Sequence, residues 1–347
     1  MSEATQSEGL PLHPFLRAEI ESRRSRPPYR VLGVAEVRRL FREGQTAGAR
    51  GPDIAAVTSA AIAGATGRLP ARLYRPRAEV GPLIVYFHGG GFTIGDLDTH
   101  DRNCRGLAQA TGAALLSVDY RLAPEHPFPA AFDDAVAAVR VIAADAASFG
   151  GDSACIFLAG DSAGGTLAIA AALALRGRGG PAIAGLMTYY PGVDFSHVAS
   201  PSYEAFGDGS FGLSRDDTDW FRTLYALNAA DRFDWRCSPA LAPDVSGLPP
   251  ILIVAAAYDV LRDDDLAFAA RLRQAGVDVR LDLVEGVNHG FMGSPTPPPA
   301  VAEALALVGR WFAAHCPEGA LGQGRGGPQN ASRTARTDPS AGPERPT

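Results

Sequence analysis

A short apolar strand, a glycine-bounded turn and an apolar helix follow one another in the middle of this chain. The strand ACIFLA ends at Ala159, GDSAG runs from Gly160 to Gly164, and TLAIAAALAL follows. Glycine at both ends of the turn removes side chains where the two backbones approach closely. The pattern predicts a strand-turn-helix unit that presents Ser162 near the free N–H groups of the helix.

Runs typical of strands alternate with runs typical of helices over most of the chain. VTSAAIAG and LPARLYRP predict a leading hairpin, and six further strands follow: LIVYFHGG, AALLSVDY, ACIFLAG, AGLMTYY, ILIVAAAY and VRLDLVEG. Continuous apolar strands of this kind are typical of a sheet covered on both faces. We therefore predict an α/β fold with a mostly parallel central sheet flanked by helices.

Three parts of the chain depart from this main unit, which we place at residues 51–316. Residues 1–50 carry helix-like apolar spacing in FLRAEIE and VAEVRRLFREG, which predicts two short helices outside the sheet. Aromatic, acidic and glycine-rich sequence at about 196–237 replaces a simple crossover helix and predicts an insertion over the sheet. Residues 317–347 are rich in Gly, Pro, Ser and Arg and are predicted to be a disordered tail.

Composition narrows the possible functions. The chain has 347 residues and a net charge of -6, with no basic run that would indicate a nucleic acid or an anionic membrane surface as partner. The N-terminus does not resemble a signal peptide, and no segment is long and apolar enough to span a bilayer. A cytoplasmic location is the expectation that follows.

The cysteines do not point to a metal or redox site. Their spacings match no zinc or thiol-redox motif and are too sparse for a disulfide framework. We expect buried or incidental reduced thiols and no bound metal. The four cysteines are Cys104, Cys155, Cys237 and Cys316.

A second glycine-rich turn, HGGG, follows the predicted strand LIVYF and begins at His88. Glycine lets backbone N–H groups come within about 3 Å of an oxygen that becomes negative in a tetrahedral intermediate. We expect such an oxyanion hole to use the N–H groups of Gly89, Gly90, Gly91 and Ala163.

Both turns have simpler interpretations. Asp161 or Ser162 could serve only as a helix cap, and HGGG could be a flexible turn or a phosphate site. A nucleotide site is disfavoured, because the chain contains neither GxGxxG nor GxxxxGK[ST] and has no lysine. Acyl transfer remains the interpretation that accounts for both turns.

The predicted base is His289. In strand-turn-helix nucleophile sites the acid and then the histidine follow the serine along the chain. His289 lies in EGVNHGF, directly after the strand VRLDLVE, whereas His197 falls in the predicted insertion and His315 near the end of the last helix. His289 is expected to take the proton of Ser162 and return it to the leaving group.

The predicted acid is Asp259, which directly follows the strand ILIVAAAY. Its role would be to fix the tautomer of the imidazole and to stabilise the imidazolium. Asp263, Asp264 and Asp265 compete for this role. Their position at the start of a helix instead favours N-capping and interaction with the helix dipole.

Together these motifs resemble the hormone-sensitive-lipase-like esterases, or bacterial family IV, of the α/β-hydrolase fold. The resemblance spans residues 72–292, where Val260 replaces a usual Pro and Thr166 a common Asn, neither of them in the triad. The motifs that carry it are HGGGF, IGDLDTHD, SVDYRLAPEHPFPAAFDDA, GDSAGG, YYPG, YDVLRDD and GVNHGF.

The resemblance implies a cofactor-independent serine carboxylesterase for short to medium acyl chains, which acts on a small-molecule ester. It also implies a small helical cap, built from the N-terminal helices and the insertion, and a possible homodimer. Residues expected to line a pocket between cap and sheet, with packing of the cap as the alternative for each, are Phe92, Phe206, Phe211 and Trp220. Arg121 and Glu125 are expected to form a buried pair.

Two other functions are compatible with the scaffold. The first alternative is an arylformamidase or other amidase, in which the same triad would cleave an amide. A non-catalytic small-molecule receptor is the third possibility, since plant gibberellin receptors share this scaffold but lack the catalytic histidine. The presence of His289 within GVNHGF favours catalysis.

Overall fold

The computed structural model describes residues 11–25, 27–177 and 179–316, so the predicted disordered tail lies outside the described residues. Its centre is an eight-stranded sheet. The strands are β1 (Ala56–Ala63), β2 (Arg68–Arg75), β3 (Gly81–Phe87), β4 (Ala114–Val118), β5 (Gly151–Asp161), β6 (Ile183–Tyr189), β7 (Ile251–Tyr258) and β8 (Val279–Asn288).

The order of the strands across the sheet is β1-β2-β4-β3-β5-β6-β7-β8. β1 and β2 form the predicted antiparallel hairpin, and β2 is also antiparallel to β4. All remaining neighbours pair in parallel. The predicted mostly parallel α/β sheet is confirmed.

Helices fill the connections between strands. They are α1 (Pro14–Arg24), α2 (Tyr29–Thr46), α3 (Asp101–Thr111), α4 (Ala130–Ala144), α5 (Ala163–Leu175), α6 (Pro201–Phe206), α7 (Arg215–Tyr225), α8 (Arg262–Gln274) and α9 (Pro299–His315). Gly33 interrupts α2 with a φ of 75°, a conformation that glycine adopts readily, so this helix is kinked.

The sheet is buried on both faces. Successive side chains of a strand point to opposite faces, and along β3 Leu83 and Val85 join one apolar cluster while Ile84 and Tyr86 join the other. The first cluster contains residues of α4, α5 and α8, and the second contains residues of α3 and α9. This double burial explains why the parallel strands are continuously apolar.

The carboxyl ends of the parallel strands bring the predicted site residues to one edge of the sheet. HGGG directly follows β3, Ser162 directly follows β5, Asp259 directly follows β7, and His289 directly follows β8. The strand order places β5 beside β3 and β7 beside β8. Residues that are far apart in the chain therefore meet where ligands usually bind in such sheets.

The long connection between β6 and β7 contains α6 and α7, and α7 packs against the N-terminal helix α2. Val37 of α2 and Ile94 share an apolar cluster with Trp220 and Phe221 of α7. Arg38 of α2 also donates a hydrogen bond to the Thr93 carbonyl in the loop after β3. Within the described ranges, no helix combines the length and the apolar character needed to cross a membrane.

The expected pair of Arg121 and Glu125 does not form. Arg121 donates two hydrogen bonds to the buried carboxylate of Asp134, at 2.8 and 2.9 Å. Glu125 instead accepts two from Arg38, at 2.8 and 2.7 Å. Both residues lie in the loop before α4, and each is paired with a residue of a helix, which sequence spacing alone does not reveal.

Candidate active site

Ser162 occupies a sharp turn between strand and helix. Its φ of 51° and ψ of -122° are unusual for a residue other than glycine, and α5 begins at the next residue, Ala163. The Ser162 N–H donates to the carbonyl of Tyr189 at 2.9 Å. Its hydroxyl makes no capping hydrogen bond to α5, which argues against the simple capping interpretation.

The glycines on either side of Ser162 are required by space. A Cβ on Gly164 would lie 1.9 Å from the carbonyl oxygen of Phe87, and one on Gly160 would lie 2.4 Å from the carbonyl carbon of Gly164. The backbones of β5, α5 and β3 are therefore in direct contact. This contact fixes the position of the turn that carries Ser162 relative to the sheet.

Ser162, His289 and Asp259 form a continuous hydrogen-bonded path. The distance from Ser162 Oγ to His289 Nε2 is 2.9 Å, and that from His289 Nδ1 to Asp259 Oδ2 is 2.7 Å. A carboxylate only accepts hydrogen bonds, so Nδ1 carries the proton and Nε2 is free to accept the serine hydrogen. The path has the polarity that a serine nucleophile and a histidine base require.

The three aspartates at the start of α8 do not contact His289. They lie in the first turn of α8, as the interaction with the helix dipole predicted, but the N-cap residue is Leu261 with no side-chain capping hydrogen bond, so the N-capping part of the prediction is wrong. Asp265 departs from that interpretation, because it is fully buried and no described residue offers a hydrogen bond to either of its carboxylate oxygens. Burial, together with the charge of Asp259, raises the pKa of Asp265 well above its ordinary value.

Gly90, Gly91 and Ala163 surround the space in front of Ser162. All three line one cavity with Ser162 and His289. Ala163 is the first residue of α5, where backbone N–H groups have no acceptor within the helix. Gly90 and Gly91 have φ angles of 115° and 57°, which glycine adopts readily.

Gly89 does not take the role predicted for it. Its N–H donates to Asp161 Oδ1 at 3.0 Å, so this group is already satisfied inside the protein. Gly89 is also absent from the cavity wall, which Gly90 and Gly91 line. The prediction that Gly89 donates to an oxyanion is therefore wrong.

The cavity before Ser162 has a volume of about 120 Å³ and is lined by side chains from the sheet edge, α2 and α7. Aromatic rings form much of its wall. These are Tyr29, Phe41, Tyr190, Phe195, Tyr203 and Phe221.

The four aromatic residues predicted to line the pocket lie elsewhere. Phe92 is fully buried and stacks on Tyr225, with 3.8 Å between ring centroids. Trp220 packs against Tyr29 and Phe221 at 5.7 and 5.1 Å, outside the cavity wall. Both predictions are corrected, since these rings pack the interior.

Phe206 and Phe211 are corrected in the same way. Phe211 stacks on Tyr258 with 4.8 Å between centroids, and Phe206 meets both rings edge-on. Neither belongs to the cavity wall. These two rings pack the insertion against Tyr258 at the end of β7, in line with the packing alternative.

Sequence reasoning missed the aromatic residues that do line the cavity. Phe221 is the immediate neighbour of Trp220 on α7, and a Cβ on Gly91 would lie 2.3 Å from its ring. The one sequence signal was this glycine, whose lack of a side chain leaves room for Phe221. Tyr29 and Phe41 come from α2, whose placement over the site depends on tertiary packing.

A buried ion pair adjoins the nucleophile. His100 Nε2 lies 3.4 Å from Asp161 Oδ2. Burial opposes the charged form of His100, but the charge and hydrogen bond of Asp161 outweigh this effect and raise the pKa of His100. Burial, aided by the charge of His100, lowers the pKa of nearby His88 to about 4, so His88 is neutral at pH 7.

Residues 84–293, more than half of the chain, match a family model described as the alpha/beta hydrolase fold. The chain belongs to the α/β-hydrolase family. A curated relative of this α/β hydrolase is carboxylic ester hydrolase LipN of Mycobacterium tuberculosis, which is 45% identical over 244 residues. That match covers 68% of this chain and 64% of LipN, so this α/β hydrolase spans just under two thirds of the relative's length.

Two further relatives agree with this assignment. The ethyl acetate hydrolase of Pseudomonas putida is 39% identical, over 69% of this chain and 76% of the relative. The structure of a hyperthermophilic esterase from the archaeon Pyrobaculum calidifontis superimposes with a TM-score of 0.84 at 35% identity, over 88% of this chain and 99% of that chain. The predicted resemblance to carboxylesterases of the α/β-hydrolase fold is confirmed.

Proposed function

We propose that this α/β hydrolase cleaves carboxylic esters with short to medium acyl chains, with Ser162 as nucleophile, His289 as base and Asp259 as acid. The observation that carries the proposal is the hydrogen-bonded path from Asp259 through His289 to Ser162. Its serine end opens into the cavity. Relatives named as ester hydrolases support the reaction class.

In the first half of the proposed reaction, Ser162 Oγ attacks the ester carbonyl carbon and His289 Nε2 takes the hydroxyl proton. The carbonyl oxygen becomes negative and accepts hydrogen bonds from the N–H groups of Gly90, Gly91 and Ala163. The C–O bond to the alcohol then breaks. His289 returns the proton to the leaving alkoxide, and the acyl group remains on Ser162.

In the second half, water replaces the alcohol. His289 Nε2 takes a proton from the water, whose oxygen attacks the acyl carbon and forms a second oxyanion in the same place. The bond to Ser162 Oγ breaks, and the serine recovers its proton from His289. Asp259 does not take up a proton in either half-reaction, and its carboxylate stabilises the imidazolium.

The size of the cavity supports small substrates. A space of about 120 Å³ accommodates a short acyl group beside the serine. The Pseudomonas putida relative is named for the hydrolysis of ethyl acetate, an ester of this size. We further propose that α1, α2 and the segment 196–237 form a cap, because α2 and α7 both contribute to the cavity wall.

A panel of p-nitrophenyl esters from acetate to palmitate tests the proposal. We expect rapid hydrolysis of acetate and butyrate, a steep fall with chain length, and slower cleavage of the matching p-nitroanilides. Ser162→Ala should lower kcat by about 10⁵-fold or more, because it removes the nucleophile. Ser153→Ala, at an exposed position of the same strand β5, is the matched control.

Each part of the proposal has an outcome that contradicts it. A wild-type protein inactive on every ester contradicts ester hydrolysis and favours the receptor alternative. Anilides cleaved faster than esters favour the amidase alternative. Equal rates on butyrate and palmitate contradict the expected chain length.

A further inference from the structure

The carboxylate of Asp161 lies between the two glycine-rich turns. Asp161 immediately precedes Ser162 and is 5% exposed. One of its oxygens, Oδ1, accepts the Gly89 N–H at 3.0 Å and also the hydroxyl of Tyr86. The carboxylate therefore ties the turn that carries the nucleophile to the turn that carries Gly90 and Gly91.

The second oxygen of Asp161 faces His100. His100 Nε2 lies 3.4 Å from Asp161 Oδ2, and a carboxylate only accepts, so Nε2 carries a proton. His100 Nδ1 lies 2.9 Å from Thr99 Oγ1, which is also 2.9 Å from the carbonyl oxygen of Asp96. Burial opposes the charged form of His100, but the neighbouring Asp161 carboxylate raises its pKa on balance, which favours an ion pair between the two side chains.

The pair has no place in the proton path. His289 donates to Asp259 and accepts from Ser162, and neither contact involves Asp161. Burial raises and the His100 charge lowers the pKa of Asp161, with a net lowering that keeps Asp161 ionised. A permanently ionised, hydrogen-bonded carboxylate is suited to hold a backbone rather than to transfer protons.

The HGGG turn needs an external anchor. Consecutive glycines lose more conformational freedom on folding than other residues and have no side chains that could hold them. At Gly89 the backbone is pressed onto the carboxylate, since a Cβ there would lie 2.4 Å from Asp161 Oδ2. The peptides that follow, at Gly90 and Gly91, line the cavity.

We propose that Asp161, held by His100, is a positioning residue that fixes the Gly89 peptide and thereby orients the Gly90 and Gly91 N–H groups toward the oxyanion. The inference rests on the proposed ester hydrolysis, because only that reaction forms the oxyanion. A loosened turn would bind the planar ester almost unchanged and would stabilise the tetrahedral state less well.

Kinetics of Asp161→Ala test this proposal with a short p-nitrophenyl ester. The variant removes the acceptor of the Gly89 N–H, and we expect kcat to fall about 10²-fold, as when one oxyanion donor is lost, with KM within about threefold. Asp161→Asn keeps an oxygen for Gly89, so it should recover kcat to within about tenfold of wild type.

An inhibitor pair reports on the oxyanion directly. A trifluoromethyl ketone forms a tetrahedral adduct with the serine, whereas the matching methyl ketone binds mainly as the planar carbonyl. Asp161→Ala should weaken the first inhibitor by the factor lost in kcat and leave the second nearly unchanged. A role confined to folding would not separate the two.

Asp134→Ala is the matched control, because Asp134 is a fully buried, ion-paired carboxylate outside the cavity wall. It should lower the melting temperature while kcat per folded molecule stays near wild type. If Asp161→Ala does not fold, Gly89→Ala is the second variant. Its Cβ would push the Gly89 peptide away from the Asp161 carboxylate, so it should show the same loss in kcat.

The proposal is overturned if Asp161→Ala keeps kcat within twofold, if both ketones weaken equally, or if Asp161→Asn loses as much as Asp161→Ala. In each case wild-type activity on the ester shows that the proposed function itself stands. A wild type with no esterase activity overturns the function and this inference together.

Discussion

Asp259 holds His289 with one carboxylate oxygen while its other oxygen is engaged with the backbone. Oδ2 lies 2.7 Å from His289 Nδ1, and Oδ1 accepts the Leu261 N–H at 2.9 Å. Asp259 is only 1% exposed, so water does not compete for either oxygen. With both oxygens occupied the carboxylate cannot turn, and it fixes the plane and the tautomer of the imidazole.

Replacement of Asp259 by Asn should therefore affect the chemical step rather than binding. An amide N–H₂ facing the ring favours the wrong tautomer, and we expect kcat to fall about 10⁴-fold with little change in KM. Asp263→Asn, in the first turn of α8, should stay within about twofold. Equal losses in the two variants, measured by steady-state kinetics, would mean that the acid is wrongly assigned.

Phe221 should limit the size of the acyl group. Its ring lines the cavity beside Gly91, so Phe221→Ala opens space next to the serine. We expect kcat/KM for the octanoate relative to the acetate to rise about tenfold, the effect of roughly one or two well-packed methylenes. Trp220→Phe, one residue away and outside the wall, should leave the chain-length profile unchanged. A shift of that profile in Trp220→Phe alone contradicts the assignment.

We expect Arg38 to stabilise the packing of α2 by more than its ion pair with Glu125 alone would. It donates to the carbonyls of Thr93 and Ala123 at 2.8 and 2.9 Å, as well as to the half-exposed Glu125. Hydrogen bonds from charged donors contribute about 1.5–3 kcal/mol, whereas exposed ion pairs contribute about 0–1 kcal/mol. In urea unfolding, Arg38→Ala should cost about 2 kcal/mol and Glu125→Ala less than about 1 kcal/mol. Similar losses in both would assign the stabilisation to the ion pair.

Asp119 should make stability depend on pH. Burial, with the charges of Asp96 and Asp98, raises the pKa of Asp119 to about 6. The folded state then binds this proton more tightly than the unfolded chain does. The free energy of unfolding therefore falls as the pH rises from the ordinary pKa of an Asp to about 6, and it stays at the lower value above that pH.

Asp119→Asn removes that dependence. We expect the variant to gain stability over wild type, and the gain to be about 1 kcal/mol larger at pH 8 than at pH 5. Urea unfolding at the two pH values measures it. A gain of the same size at both would show that the carboxyl does not titrate in this way.

The sequence predicted those features that depend on strand ends. Ser162, Asp259 and His289 each directly follow a strand, and parallel strands deliver such residues to one edge. The structure brings the three side chains within hydrogen-bonding distance, although their catalytic roles stay predictions until activity is measured.

The features that sequence reasoning missed depend on contacts between distant segments. Gly89 lost its predicted role because its N–H meets a carboxylate 72 positions along the chain. Trp220 and Phe221 are adjacent in sequence, and only the packing of α7 on α2 decides which of them lines the cavity. Helical periodicity identifies an apolar face but not what the individual rings on that face will touch.

Gly160 and Gly164 let main-chain contacts hold the nucleophile, whereas side chains shape most of the pocket in front of it. The turn that carries the nucleophile is held by main-chain atoms at the ends of β3 and β5 and the start of α5. Much of the cavity wall consists of side chains of α2, α7 and the connecting loops. Selection in the laboratory for new esters can therefore concentrate on those walls, while the strand-turn-helix unit beneath them is kept intact.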